Sequence, residues 1–230
     1  PQHVYIYNTL TGAIIEEWIE VPNGWAWDRH TLLHEYAHGI MVAAYGYNHF
    51  NMPPAGNYNG HWIHMESDPG FAFIEGWAQF MECAIDNDKD YSFGTPETIE
   101  SNDWADYESP GNWDGSIVEG AVASILWDIF DPSDPNDDCE DGFFDDGISL
   151  GDGISNEFNM LWEVILKDNP KDIDDFWNHW FSTSDETPTN FGQKYELKAI
   201  YFEHRIDKNS KPVCSISQPA DWISGTYTIS

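Results

Sequence analysis

Residues 28–46 read DRHTLLHEYAHGIMVAAYG, and this stretch has the pattern of an amphipathic helix. Asp28 stands where an N-cap is expected, and Gly46 stands where helices commonly end. The apolar positions between them are three or four residues apart: Leu32, Leu33, Ala37, Ile40, Met41 and Ala44. The pattern therefore predicts a helix that packs one face against a core.

The same stretch contains His34 and His38 with Glu35 between them, in the pattern H-E-x-x-H. On a helix, residues four apart project from one face, so both imidazoles can reach one metal ion. Glu35 is rotated by about a quarter turn and lies beside the ion without binding it. The pattern predicts a zinc site with Glu35 as general base; two ordinary helical histidines and an exposed acid are the alternative interpretation.

A catalytic zinc ion usually has three protein ligands and one open position. Residues 71–80 read FAFIEGWAQF, inside a second predicted helix that begins with the capping pair Asp68-Pro69. Glu75 is the predicted third ligand. Its rivals are the nearby carboxylates Glu66, Glu82 and Asp86.

The two motifs together, HEYAHG at 34–39 and EGWA at 75–78, resemble those of the gluzincin metallopeptidases, particularly the fungalysin-like and thermolysin-like enzymes. The resemblance spans about residues 28–128. It implies an α+β, zincin-like metallopeptidase fold with a short N-terminal β region and a predominantly helical body. It also implies a secreted, zinc-dependent endopeptidase in which zinc-activated water attacks a peptide bond and Glu35 takes the water's proton.

Two further roles follow from the resemblance. Related enzymes carry an Asp four residues after the ligand Glu, where it orients the first histidine, and this chain has Gln79 there. Such enzymes also present a Tyr or His to the developing oxyanion. His61 and His64, between the ligands, are our favoured candidates, ahead of Tyr47, Tyr58 and Tyr107. Glu119 lies in a patch of looser resemblance and is interpreted as a solvated or helix-capping acid.

The formal net charge is -32, from 41 acidic and 9 basic residues. Such a surface repels phosphate backbones and anionic lipids, which argues against nucleic acid and membrane-surface partners. The sequence also has no apolar run long enough for membrane insertion. The acidic segment 131–152 lacks EF-hand spacing, so we interpret it as solvated charge, with Ca²⁺ left open as a second cation.

We predict one zinc metallopeptidase catalytic domain over residues 1–211, beginning with a hairpin around residues 3–21. Residues 212–230 alternate like the start of an Ig-like β domain or form a C-terminal tail. Cys83, Cys139 and Cys214 form no CxxC pair, which leaves a Cys83–Cys139 bridge open. The expected protein is a secreted or cell-surface monomer acting on protein or peptide substrates.

Two other functional classes remain as alternatives to a peptidase. The first is a non-catalytic extracellular binding or adhesion module with a zincin-like shell. The second keeps the zinc but hydrolyses an ester or a glycan-linked amide.

Overall fold

The computed structural model of the chain describes residues 2–22, 24, 28–56, 60–93, 95–100, 104, 113–131, 158–181 and 191–207. Several expectations fall outside these ranges: the Ig-like segment 212–230, nearly all of the acidic segment, Tyr58, Tyr107, Cys139 and Cys214. Within the described residues, Cys83 is a buried free cysteine.

The chain begins with an antiparallel hairpin of β1 (Gln2–Tyr7) and β2 (Ile14–Glu20), which confirms the predicted N-terminal strands. Helix α1 (Arg29–Ala44) and helix α2 (Pro69–Asp86) follow, and both were predicted from apolar spacing. A second hairpin, β3 (Asp90–Phe93) and β4 (Thr95–Thr98), precedes helix α3 (Glu119–Phe130). The remaining described helices are α4 (Phe158–Asp168), α5 (Ile173–Trp180) and α6 (Phe191–Glu203).

The architecture of the described residues is α+β, with small two-stranded sheets beside a helical body. Among these residues no helix has the length and apolar character needed to cross a membrane.

The ends of α1 and α2 are held differently. The side chain of Asp68 accepts a hydrogen bond from the Phe71 amide at 2.9 Å, and Pro69 occupies the first helical position, as predicted. Asp28 occupies the N-cap of α1 without a side-chain cap bond and instead accepts from the Thr31 hydroxyl at 2.5 Å. The N-terminus of α1 is therefore held by a side-chain contact rather than by the expected backbone cap.

Helix α2 lies at the centre of the core, between α1 and α3. Trp77 is fully buried and its indole Nε1 donates to the Ala37 carbonyl at 3.1 Å, which joins α2 to α1. On the α3 side, a Cβ on Gly76 would lie only 2.7 Å from Val122 and 2.8 Å from the Glu119 carbonyl oxygen. Only glycine permits α3 to approach α2 this closely. The backbone beside Glu75 is therefore packed against α3 at Gly76 and joined to α1 at Trp77.

Candidate metal centre

Three predicted ligands converge between α1 and α2. His34 Nε2 lies 3.1 Å from Glu75 Oε2, and His38 Nε2 lies 3.3 Å from the same oxygen. One ligand atom from each of the three residues lies within 4.8 Å of the other two. Among the described residues this is the cluster that could hold a metal ion, and it comprises the donor types of a catalytic zinc site.

The cluster is largely removed from solvent. Glu75 is 9% exposed, and the side chains of His34 and His38 are 15% and 11% exposed. Glu35, the predicted base, is also buried, at 7% exposure. A buried carboxylate that faces two imidazoles needs positive charge beside it, and either imidazole protons or a divalent cation can supply that charge.

Hydrogen bonding to Glu75 sets the protonation state of the metal-free site. Burial by itself disfavours a charge on His34, but the hydrogen bond and charge of Glu75, with the charges of Glu119 and Glu82, outweigh it and raise the His34 pKa to about 9. Burial similarly opposes ionisation of Glu75, yet His38 and His34 hold the pKa of this carboxyl well below its usual range. The metal-free site is therefore an imidazolium–carboxylate pair at neutral pH.

This pair makes the stability of the metal-free protein depend on pH. The His34 pKa is raised from 6.5, so its stabilising contribution is complete below about pH 6.5 and is lost as the pH rises through about 9. We expect the free energy of unfolding to fall by on the order of 3 kcal/mol across that window. Denaturant unfolding with a chelator present measures it, and His34→Gln is the control that should remove most of the slope. A metal-free protein equally stable at pH 6.5 and pH 9 would contradict the assignment.

His61 is the favoured oxyanion candidate that lies at this centre. Its Nε2 lies 3.7 Å from Glu75 Oε2, and its Nδ1 lies 2.8 Å from Glu119 Oε2. Burial lowers the His61 pKa, but the hydrogen bond and charge of Glu119 outweigh this and raise it. His61 does not belong to the three-residue ligand cluster, so it stands beside the metal position rather than within the ligand set.

Backbone pairing brings His61 and Glu119 together. The Gly120 amide donates to the Ile63 carbonyl at 2.9 Å, and the Ser67 amide donates to the Ile117 carbonyl at 2.8 Å. These bonds attach the loop before α2 to the start of α3. Glu119 is 5% exposed, which corrects its interpretation as a solvated acid. In the sequence, the loose resemblance of the patch around Glu119 to a family helix was the one sign that this residue could matter. No local pattern indicated its contact with His61.

The other sequence candidates lie elsewhere or act differently. The His64 ring packs against that of Trp104, with 5.1 Å between the ring centroids, and His64 is not one of the three residues of the metal cluster. Tyr47 is exposed. Gln79 was expected to orient His34, but its amide nitrogen donates to Glu82 Oε2 at 3.3 Å. Glu82 is the carboxylate that faces the second nitrogen of His34, and spacing alone had offered it only as a rival ligand.

The α+β architecture and the buried His₂Glu cluster define a protein domain with a candidate mononuclear metal centre. The chain belongs to the family described as the mycolysin C-terminal domain, whose model matches residues 8–197. That family is associated with extracellular, thermolysin-like peptidases, and the match by itself does not assign catalysis to this domain. No curated protein and no solved structure gives a significant match to the chain.

Proposed function

We propose that this domain is a secreted zinc-dependent peptidase, with His34, His38 and Glu75 as zinc ligands and Glu35 as general base. The observation that carries the proposal is the convergence of both motif histidines on one buried carboxylate oxygen. Two imidazoles and one carboxylate form a three-ligand set that leaves a position open for reaction, as in catalytic rather than structural zinc sites. The family's association with extracellular peptidases agrees with secretion and a proteolytic context, while the assignment of catalysis rests on the ligand cluster.

Zinc held by this set would lower the pKa of a water molecule to about 7 and polarise a peptide carbonyl. Glu35 follows His34 directly on α1 and is buried. Its carboxylate takes one proton from the attacking water while the C–O bond forms. It then delivers that proton to the amide nitrogen as the C–N bond breaks, so the products are an amine and a carboxylic acid, which releases the second proton of the water to solvent at neutral pH.

His61 is the group we assign to the developing oxyanion. Glu119 accepts the Nδ1 proton. The opposing effect of burial is outweighed by this hydrogen bond and the charge of Glu119, which raise the His61 pKa and so favour a second proton on Nε2, the nitrogen that lies 3.7 Å from Glu75 Oε2. A donor held by a buried carboxylate needs little reorganisation when negative charge develops on the carbonyl oxygen. The assignment gives Glu119 a positioning role through its hydrogen bond to His61.

We expect His61→Ala to lower kcat by about 10²-fold or more while zinc remains bound, because one oxyanion donor is lost and no ligand is removed. Steady-state kinetics and zinc content measured on the same preparation test this. His179→Ala is a matched control, since His179 contacts Asp168 and Asp175 outside the site. If His61→Ala instead loses its zinc, His61 is a ligand and the assignment is wrong.

A second candidate function is a non-catalytic binding module that retains the zinc site. It is favoured by the family description, which names a C-terminal domain. This candidate predicts that zinc is bound and that no peptide bond is cleaved.

The deciding experiment measures zinc per chain and the cleavage of an unfolded protein, with a chelator and then with zinc added back. About one zinc per chain with chelator-sensitive cleavage supports the peptidase. Bound zinc without cleavage supports the binding module. Hydrolysis restricted to esters supports a zinc enzyme that acts on esters rather than on peptide bonds. A chain that binds no zinc after add-back overturns all three.

A further inference from the structure

Three histidines on α1 face two carboxylates on α2. His30, His34 and His38 are spaced four residues apart, so they form one stripe along the helix. On α2, Glu75 lies against His34 and His38, and Glu82 lies against His30. Gln79 contacts Glu82. His34 lies in the middle of the stripe, with Nε2 3.1 Å from Glu75 Oε2 and Nδ1 3.9 Å from Glu82 Oε2.

Glu82 is held on both of its oxygens. Its Oε1 lies 2.8 Å from His30 Nδ1, and its Oε2 accepts the Gln79 amide at 3.3 Å. The residue is only 4% exposed. A buried carboxylate fixed at both oxygens cannot turn away from His34 without breaking one of these contacts.

We propose that Glu82, clamped by His30 and Gln79, is the positioning residue that fixes the ring and tautomer of His34 for metal binding. This proposal rests on the zinc site proposed above. When a metal takes Nε2, the remaining proton of the neutral imidazole is on Nδ1 and requires an acceptor. Related enzymes are expected to supply this acceptor from the position that Gln79 occupies here. In this chain Glu82, about one helical turn further along α2, supplies it instead.

The distance between His34 Nδ1 and Glu82 Oε2 is 3.9 Å, longer than a hydrogen bond of about 3 Å. In the metal-free site, the bond to Glu75 sets the ring position of His34. We expect the Nδ1–Glu82 distance to shorten when a metal replaces Glu75 as the partner of Nε2. Gln79 then serves to lock Glu82, because its amide donates to the same carboxylate oxygen.

A purely structural role predicts a different outcome. Glu82 and His30 also connect α1 to α2, and this connection alone would contribute to stability without affecting the metal. Asp86→Asn is the matched control, because Asp86 pairs with Arg29 across the same two helices one turn further on.

The test measures zinc affinity by chelator competition, the absorption spectrum of the Co²⁺ form, and the unfolding temperature of the metal-free protein. We expect Glu82→Gln to weaken zinc binding by about 10- to 100-fold and to alter the Co²⁺ spectrum, whereas Asp86→Asn changes neither. In the double variant Gln79→Asp/Glu82→Gln, a carboxylate returns to the expected family position and should restore most of the affinity.

The proposal is overturned if Glu82→Gln lowers the unfolding temperature but leaves zinc affinity and the Co²⁺ spectrum unchanged. If Glu82→Gln does not fold, Gln79→Met provides the second test. It keeps the side-chain length and removes the amide donor, so zinc binding should weaken several-fold, and unchanged binding overturns the proposal.

The two proposals fail separately. Wild-type protein that binds zinc but cleaves no peptide defeats the peptidase assignment, while the affinity comparison still decides the role of Glu82. Wild-type protein that binds no zinc defeats both.

Discussion

Glu35→Gln is expected to reduce kcat by about 10³-fold while leaving about one zinc bound per chain. Glutamine keeps the size and polarity of the side chain but cannot take a proton from water at neutral pH. Positioned general bases commonly contribute about 10²- to 10⁴-fold to rate, so the loss falls mainly on the chemical step. Steady-state kinetics on a peptide substrate, with zinc measured on the same samples, gives the result.

Glu16→Gln is a suitable control, because Glu16 is an exposed acid on β2, outside the ligand cluster. It removes the same charge from a protein that already carries a net -32. Near wild-type turnover in Glu35→Gln would remove Glu35 from the mechanism. Simultaneous loss of zinc would show that Glu35 supports the metal rather than the proton transfer.

Glu75→Gln is expected to weaken zinc binding by at least about 10³-fold. Loss of a residue that only hydrogen-bonds to a ligand typically weakens metal binding by about 10- to 100-fold. The effect here is larger because a charged ligand is itself removed. The metal-free protein should also be destabilised by about 3–5 kcal/mol, since His34 and His38 both direct Nε2 at the lost carboxylate. Chelator competition and denaturant unfolding measure the two effects separately.

Glu163→Gln is the control for both measurements, because it removes a helical carboxylate paired with Lys167 on α4. Its effect on zinc should be negligible, and its effect on stability should stay below about 1 kcal/mol. Retention of tight zinc binding in Glu75→Gln would return the third-ligand role to one of the rival carboxylates.

Local periodicity predicted α1 and α2 because their apolar positions and caps lie within single helices. It also indicated that His34 and His38 share a face, since that follows from four-residue spacing on a helix. Glu75 was predicted as the third ligand, ahead of the rival carboxylates, because it begins the EGWA motif. Helical spacing alone does not distinguish one carboxylate on the predicted helix from another. In the structure, Gly76 allows α3 to approach that setting and Trp77 joins it to α1.

The groups around the ligands could not be identified in the same way. Glu119 is 58 residues from His61 in sequence, and the two meet because backbone bonds connect the loop to α3. Gln79 matched an expected position, yet its amide binds Glu82 instead of His34. Such contacts depend on rotamers and helix packing, which no local pattern specifies.

The sequence by itself determined the helices, the shared face of His34 and His38, and the acidic character that disfavours polyanionic partners. These properties arise from spacing and composition, which act over one helix or over the whole chain. Only the tertiary structure decided that Glu75 meets both histidines, that Glu119 holds His61, and that Glu82 faces His34. The physical reason is that each of these contacts joins separate elements, and close packing of α1, α2 and α3 determines which buried polar atoms become partners.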